Sequence, residues 1–383
     1  MIDTREFKNQ QISMLGFGTM RLPCKTPLKR EANPMIDYQK GEDLIDLAYQ
    51  CGVNYFDTAY MYHAGKSEKF IGSALKKYPR ESYYLADKLP IWMCPTKKDM
   101  ERIFKKQLSR TGHDYFDFYL LHSLNGDNFD KAEKFGAYDF LTQKKVEGKI
   151  KYLGFSFHGT IEDLERIVAA HKWDFAQIQL NYLDWKNQDA QKQYEILTNA
   201  GIPVIVMEPV RGGKLANVTK DIEEMFKKAD PDATPASWAM RFVGSKENVL
   251  TVLSGMYSIE QVQDNINTFT DFRPMDEREL KICANAAAMI NKSDIIPCTG
   301  CDYCAGCPKD VKISTLFAIY NQLKTGEIDK TEAQSQYDRV DGKASLCIRC
   351  QKCADHCPQA IKIPELLQSV VCETFEAVSE TAE

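Results

Sequence analysis

Short apolar runs alternate with longer amphipathic stretches from the N-terminus to about residue 270. The runs are Met14–Phe17, Val53–Phe56, Tyr83–Ala86, Phe116–Leu121, Tyr152–Phe155, Phe175–Leu180, Val204–Met207 and Leu250–Leu253. Short apolar runs of this kind read as strands. Between them, Gly41–Gln50, Ser67–Lys77, Lys97–Arg110, Ile161–His171, Ala190–Ala200 and Ile259–Phe269 show the period of helices with one apolar face. Such alternation implies parallel strands joined by right-handed crossovers. Eight strand–helix units in roughly 260 residues have the length of a (β/α)8 TIM barrel. The rival, a doubly wound open sheet, would usually carry a Gly-rich dinucleotide turn after its first strand. Leu15-Gly-Phe-Gly-Thr19 is not G-x-G-x-x-G, so an α/β barrel is expected over residues 1–272.

Beyond that point the pattern changes. Asp271–Pro297 reads as a helical linker, and two cysteine runs follow. The first is Cys298-Thr-Gly-Cys301-Asp-Tyr-Cys304-Ala-Gly-Cys307-Pro308. The second is Cys347-Ile-Arg-Cys350-Gln-Lys-Cys353-Ala-Asp-His-Cys357-Pro358. The second run has the C-x2-C-x2-C-x3-C-P spacing that wraps thiolates around an iron–sulfur cube, whereas zinc sites usually pair two C-x2-C units. In two-cluster proteins the fourth cysteine of each run ligates the other cube. Cys298, Cys301 and Cys304 are therefore paired with Cys357, and Cys347, Cys350 and Cys353 with Cys307. The spacer between the runs has helical character over Ile313–Leu323 and Lys330–Val340, and Pro364–Val371 starts another helix. This long helical spacer resembles the α-helical ferredoxin modules fused to redox enzymes. Residues 273–383 are thus expected to form the linker and a mainly helical 4Fe-4S ferredoxin-like domain.

Composition narrows the partners. The chain has 383 residues and a formal net charge of −5, and no basic stretch interleaved with aromatics, which argues against a nucleic-acid binder. No run approaches the ~18 apolar residues of a membrane span, and Met1–Gln11 lacks an apolar signal region. Thirteen cysteines without an export signal suggest reduced thiols and metal in a cytoplasmic setting. Outside the two runs, Cys24, Cys51, Cys94, Cys283 and Cys372 read as ordinary thiols.

Several strand runs end in ionisable residues. The second continues through Asp57 to Tyr62, the third through Asp87 and Lys88, and the fourth through His122. Active groups of such a barrel come from the C-terminal ends of its strands, so an acid, a phenol, an amine and an imidazole are expected at one mouth. Hydride delivered to a carbonyl carbon leaves an alkoxide that needs a proton. The Tyr62 phenol can give one, though the free phenol pKa of about 10 is high. Lys88 is expected to lower it by favouring the phenolate. Asp57 would hold Lys88 charged and oriented, and His122 would hydrogen-bond the substrate oxygen. Each residue alone is more often structural; the set of four at successive strand ends carries the functional reading.

These residues lie in stretches that resemble the aldo-keto reductase family, in the branch that carries a C-terminal two-cluster iron–sulfur module. The matching stretches are Gly16-Phe-Gly-Thr19, Asp57-Thr-Ala-x-x-Tyr62, Gly65-x-Ser-Glu68 with Gly72, Lys88, Leu121-His122, Leu153-Gly-Phe-Ser156, Ala176-Gln177 and Glu208-Pro209. The resemblance covers roughly residues 10 to 270 and implies Tyr62 as proton donor with Asp57, Lys88 and His122 as partners. It also implies a nicotinamide cofactor across the mouth, with Ser156 and Gln177 near its carboxamide and Gly18, Thr19 and Asn265 along its path. The chain departs from the family at Phe157, where an asparagine is usual, and at Met207, where an aromatic stacks on nicotinamide. Gly255 and Gln261 stand where a lysine and an arginine would meet a 2′-phosphate, which weakens discrimination for NADP.

The resulting expectation is an oxidoreductase that transfers hydride between NAD(P)H and a small carbonyl or alcohol. Two [4Fe-4S] clusters would transfer electrons to or from a ferredoxin or flavoprotein partner. Hydride carries two electrons and each cube one, so coupling needs a flavin or a substrate that tolerates radicals; no flavin motif is visible. The alternative is a non-catalytic barrel serving as docking module for an iron–sulfur electron-transfer protein. Asn125–Phe135 and Asn181–Asp189, the least regular segments, are expected to be specificity loops.

Overall fold

An N-terminal hairpin, β1 (Thr4–Phe7) and β2 (Gln10–Ser13), precedes eight strands that close on themselves. These are β3 (Leu15–Gly18), β4 (Tyr55–Asp57), β5 (Tyr84–Leu89), β6 (Phe116–Leu124), β7 (Ile150–Phe157), β8 (Phe175–Gln179), β9 (Val204–Met207) and β10 (Val249–Ser254). Their order around the barrel is β10-β3-β4-β5-β6-β7-β8-β9, with every neighbour parallel. This computed structural model describes residues 1–25, 35–292, 295–359 and 361–376. Residues 293 and 294 of the expected linker, and residues 360 and 377–383 of the expected C-terminal domain, lie outside the described residues.

Each apolar run becomes a barrel strand because both of its faces are covered. Outward residues such as Phe17, Phe56, Leu85, Phe155 and Val206 pack under the helices. Inward residues Tyr55, Ala86, Phe118, Phe175 and Ile205 fill the lower interior with Phe7 and Ile12 of the hairpin. The hairpin thus stoppers the N-terminal end, with Phe7 edge-on to Tyr152 at 4.9 Å between ring centroids. Lys8 and Asn9 make its turn with φ of 48° and 64°, the backbone sense that two-residue hairpins need.

The helices begin and end on local signals. Thr96 with Asp99 and Thr160 with Asp163 form capping boxes for Lys97–Thr111 and Ile161–Ala170. Gly72, on the helix Ser67–Leu75, lies against the backbone of Thr111, leaving no room for a Cβ. One expectation is corrected here. Asn125–Phe135 is a helix over Gly126–Phe135, with the Asn125 side chain accepting from the N–H of Asn128 and a left-handed Gly136 ending it. Phe129 and Ala132 give it a buried stripe too narrow to stand out in a polar stretch. In the segment 181–189 only Asp184–Asn187 is helical.

Helix Glu277–Asn291 packs on the barrel: Cys283 and Ala286 join its core, and Glu279 pairs with Arg241 at 2.8 Å. The tail has a core of its own from helices Ile313–Thr325 and Lys330–Asp338, where Leu316, Phe317, Tyr320 and Tyr337 meet Leu367 and Val371. Among the described residues, no helix is long and apolar enough to cross a membrane.

Candidate active site and cluster cage

Strand alternation decides which polar residues face the mouth. One pleat above the inward layer of Tyr55, Ala86, Phe118 and Phe175 come Asp57, Lys88, Leu120 and Gln177, and above Leu120 comes His122. Lys88 is fully buried, and its Nζ donates to Asp57 Oδ1 and to the carbonyl of Thr58, both at 2.7 Å. The same Nζ stands 5.0 Å from the centroid of the Tyr62 ring. Tyr62 opens the turn Tyr62–Gly65, in which His63 and Ala64 hold left-handed φ values of 50° and 55°. Its ring is edge-on to His122 at 6.2 Å, and Trp92 covers His122 from 5.0 Å. The structure therefore brings Asp57, Tyr62, Lys88 and His122 to one mouth. Asp57 Oδ2 and His122 Nδ1 are buried without a hydrogen-bond partner among the described residues. Left-handed non-glycine residues recur around this rim, at Ser123, Glu208 and Arg211, in keeping with strain held at functional sites.

The electrostatics correct one expectation. Burial pushes the Tyr62 phenol well above its ordinary range, and Asp57, Glu208 and Asp87 push the same way; Arg21 alone opposes them appreciably. Any pull of the Lys88 ammonium, which lies against Asp57 and the Thr58 carbonyl, is outweighed by that burial and those carboxylates. Burial also raises the Asp57 carboxyl, and Lys88 opposes that rise. His122 is driven well below its usual value by burial, then by Lys88 and His158, so it is neutral at pH 7. The mouth offers a protonated phenol and a neutral imidazole.

The residues expected along the cofactor are spread more widely. Gln177 Nε2 touches Met207 Sδ at 3.5 Å, while Gln177 Oε1 is buried without a partner among the described residues. That orphaned acceptor fits the amide N–H of a nicotinamide carboxamide. Ser156 Oγ accepts from the N–H of Ser123 at 2.7 Å. Gly18 ends β3, and Thr19 Oγ1 donates to the Asp57 carbonyl at 2.8 Å. Asn265 is buried and donates to Ser254 Oγ at 2.9 Å. Barrels often bind phosphate on the loops after the seventh and eighth strands, here after β9 and β10. Other parts of the chain approach one glycine of each loop: Gly212 lies against the Thr299 backbone, and Gly255 against the side chain of Arg21.

In the tail, Cys298, Cys301, Cys304 and Cys357 line one cavity together with Ile313, Phe317, Ile361 and Ile363. Four sulfurs drawn from both cysteine runs, walled by aliphatic side chains, fit the thiolate set of an iron–sulfur cube. Burial raises the Cys353 thiol, and the nearby Cys347 and Cys307 push the same way. Cys350 is exposed. None of the cysteines among the described residues is in a disulfide.

Residues 14–288 match the profile of the aldo/keto reductase family, and residues 297–361 that of the 4Fe-4S dicluster domain. The chain belongs to the aldo/keto reductase family. Among relatives of this reductase, "Probable aldo-keto reductase 1" of Glycine max is 25% identical over 347 residues, covering 80% of this chain and 95% of the relative. The "NADH-specific methylglyoxal reductase" of Escherichia coli (strain K12) is 26% identical over 300 residues, covering 67% and 89%. The solved holo form of an aldo-keto reductase from Bacillus halodurans superposes with a TM-score of 0.61 at 24% identity, covering 75% of this chain and 96% of that one.

Four mouth residues of this aldo/keto reductase escaped the sequence reading of the site: Arg21, Trp92, Glu208 and Tyr303. Glu208-Pro209 marked a resemblance without suggesting a role. Arg21 ends a short turn after β3 with no periodic pattern, and Tyr303 is masked by the cysteine spacing around it.

The Tyr62 turn also makes a pH dependence. His63 Nε2 accepts from the N–H of Leu22 at 3.2 Å, and burial pulls its imidazole down from 6.5 to about 4. The unfolded chain takes a proton near 6.5 and the folded chain does not. Stability is therefore full above pH 6.5 and falls as the pH drops toward 4. At pH 5 this histidine alone should cost the fold about 2 kcal/mol. Urea unfolding at pH 7 and pH 5 should show that loss in the wild type and a smaller one in His63→Gln; equal losses would contradict it.

Proposed function

We propose that this aldo/keto reductase reduces a small carbonyl with NAD(P)H at the barrel mouth. Two [4Fe-4S] clusters in its tail would exchange electrons with a ferredoxin or flavoprotein. The carrying observation is the buried Lys88–Asp57 pair, with Nζ 5.0 Å from the Tyr62 ring and His122 edge-on to that ring. A cytoplasmic setting fits this reading, because thiols there stay available as cluster ligands.

When bound, a reduced nicotinamide supplies hydride to the carbonyl carbon, and the clusters supply or accept single electrons. Gln177 Oε1 would accept from the carboxamide, with Ser156 beside it. Tyr62 gives its hydroxyl proton to the substrate oxygen as negative charge gathers there. Lys88, oriented by Asp57, stabilises the phenolate left behind. His122, uncharged, offers the same oxygen a directional hydrogen bond. Raised above its ordinary range, the phenol is protonated at neutral pH and so holds the proton that carbonyl reduction requires. Gly255 and Gln261, in place of two cations, support NADH, and the NADH-specific methylglyoxal reductase among the relatives supports NADH and a small carbonyl.

A second reading has one observation behind it. Thr299 and Arg21 lie over the two loops expected to hold cofactor phosphate, which favours a barrel that docks an iron–sulfur electron carrier without turnover. Anaerobic titration of the iron-replete chain with NADH and NADPH, followed by a panel of small aldehydes and ketones, separates the two. The expected result is saturable NADH binding with carbonyl-dependent oxidation of NADH. Absence of binding to either nucleotide, with clusters that still reduce reversibly, would favour the carrier.

A further inference from the structure

Tyr303 lies between Cys301 and Cys304 in the first cysteine run, yet its side chain enters the barrel. Its hydroxyl meets His122 Nε2 at 3.3 Å. Nε2 is the nitrogen available to the mouth, since Nδ1 is buried without a partner among the described residues. Tyr62, Asp57 and Glu208 are near neighbours of the Tyr303 phenol, besides Cys301.

The contacts around Tyr303 make this a built interface. Arg21 donates to the Thr299 carbonyl at 2.9 Å and reaches Glu208 at 3.3 Å. Lys214 Nζ donates to the carbonyl of Ile296. Gly212, with φ of 68°, lets the Thr299 backbone approach where any Cβ would collide. On the other side, the buried amides of Gln179 and Gln359 donate to each other at 2.9 and 2.8 Å. Paired buried amides need matched partners, because an unmatched one costs its full desolvation. The first cysteine run is thereby seated on the rim.

We propose that Tyr303 is a specificity-determining residue of the mouth, supplied by the cluster module, whose hydroxyl occupies the place that a substrate oxygen takes on His122. The inference rests on the carbonyl-reductase reading for the role of His122. A carbonyl must displace the Tyr303 hydroxyl before it can accept from the imidazole, and the ring narrows the mouth toward small substrates. Displacing Tyr303 also moves the backbone between Cys301 and Cys304. Binding at the mouth and the state of the first cluster are then reciprocally linked.

The test uses the full, iron-replete chain under anaerobic conditions, with acetate as a small oxygen acceptor and propanal as substrate. Calorimetry should show acetate bound about fivefold more tightly by Tyr303→Phe, as expected when one neutral hydrogen bond no longer competes. The KM for propanal should fall with kcat changed less than about twofold, since His122 and Tyr62 are untouched. In the wild type, acetate should alter the electron paramagnetic resonance signal of the reduced clusters; in Tyr303→Ala it should bind without doing so. If Tyr303→Ala loses iron, Tyr303→Phe, which keeps the ring, carries the test. Acetate affinity unchanged in Tyr303→Phe at full iron content would overturn the proposal. Acetate binding needs no turnover: a wild type inactive with both nucleotides, whose Phe variant binds acetate more tightly, would sink the reductase reading and the specificity role with it, and keep only the occupancy of His122 by the Tyr303 hydroxyl.

Discussion

Tyr62→Phe should lower nicotinamide-dependent carbonyl reduction by about 10²–10⁴-fold, the usual worth of a positioned proton donor. That equals about 3–5 kcal/mol of transition-state stabilisation. The substitution removes one hydroxyl and keeps the ring, so the 5.0 Å approach of Lys88 and the edge contact with His122 persist. Cofactor affinity should therefore hold while kcat falls. Lys88→Met should be equally damaging for another reason: it strands the buried carboxylate of Asp57 without its ammonium, and an uncompensated buried charge destabilises by several kcal/mol. Its melting temperature should drop, whereas that of Tyr62→Phe should not. Steady-state kinetics beside thermal melts distinguish the two, and a Tyr62→Phe enzyme of near wild-type kcat would end the assignment of Tyr62 as donor.

Cys357→Ala should remove the cube held with Cys298, Cys301 and Cys304, and with it about half of the iron and sulfide, since two-run modules carry two cubes. The prediction comes from the single cavity that those four sulfurs line; Cys357 belongs by sequence to the other run. Cys301→Ala should thus lose the same cube, and the double variant no more than either single one. Cys350→Ala should empty the other cage. The tail loses folding free energy along with its cluster, because the cysteines edge its small core. The barrel core is separate and should melt as before. Iron and sulfide assays read the outcome; a double variant with much less iron than Cys357→Ala would refute the crossed ligation.

What could be seen in the chain and what could not follow one division. The eight apolar runs became the eight barrel strands because parallel strands covered on both faces need continuous hydrophobicity. The N-terminal hairpin escaped because each four-residue strand buries a single apolar side chain, Phe7 in one and Ile12 in the other. Helix Gly126–Phe135 escaped because two apolar residues suffice for its shallow seat.

The mouth shows the same limit. That Asp57, Lys88 and His122 lie at the ends of successive strands is written in the order of residues, and the two-residue pleat turns them inward. The cysteine spacing likewise announces a cluster module. How charge settles among those groups was decided by packing. The Lys88 ammonium lies against Asp57 and Thr58, and its effect on Tyr62 is outweighed by burial and nearby carboxylates. The contact of Tyr303 with His122 joins residues 181 positions apart in the chain. Local pattern dictates secondary structure because its forces act between near neighbours; proton affinity and domain docking depend on which distant groups share a low-dielectric space, and only the folded chain assembles that space.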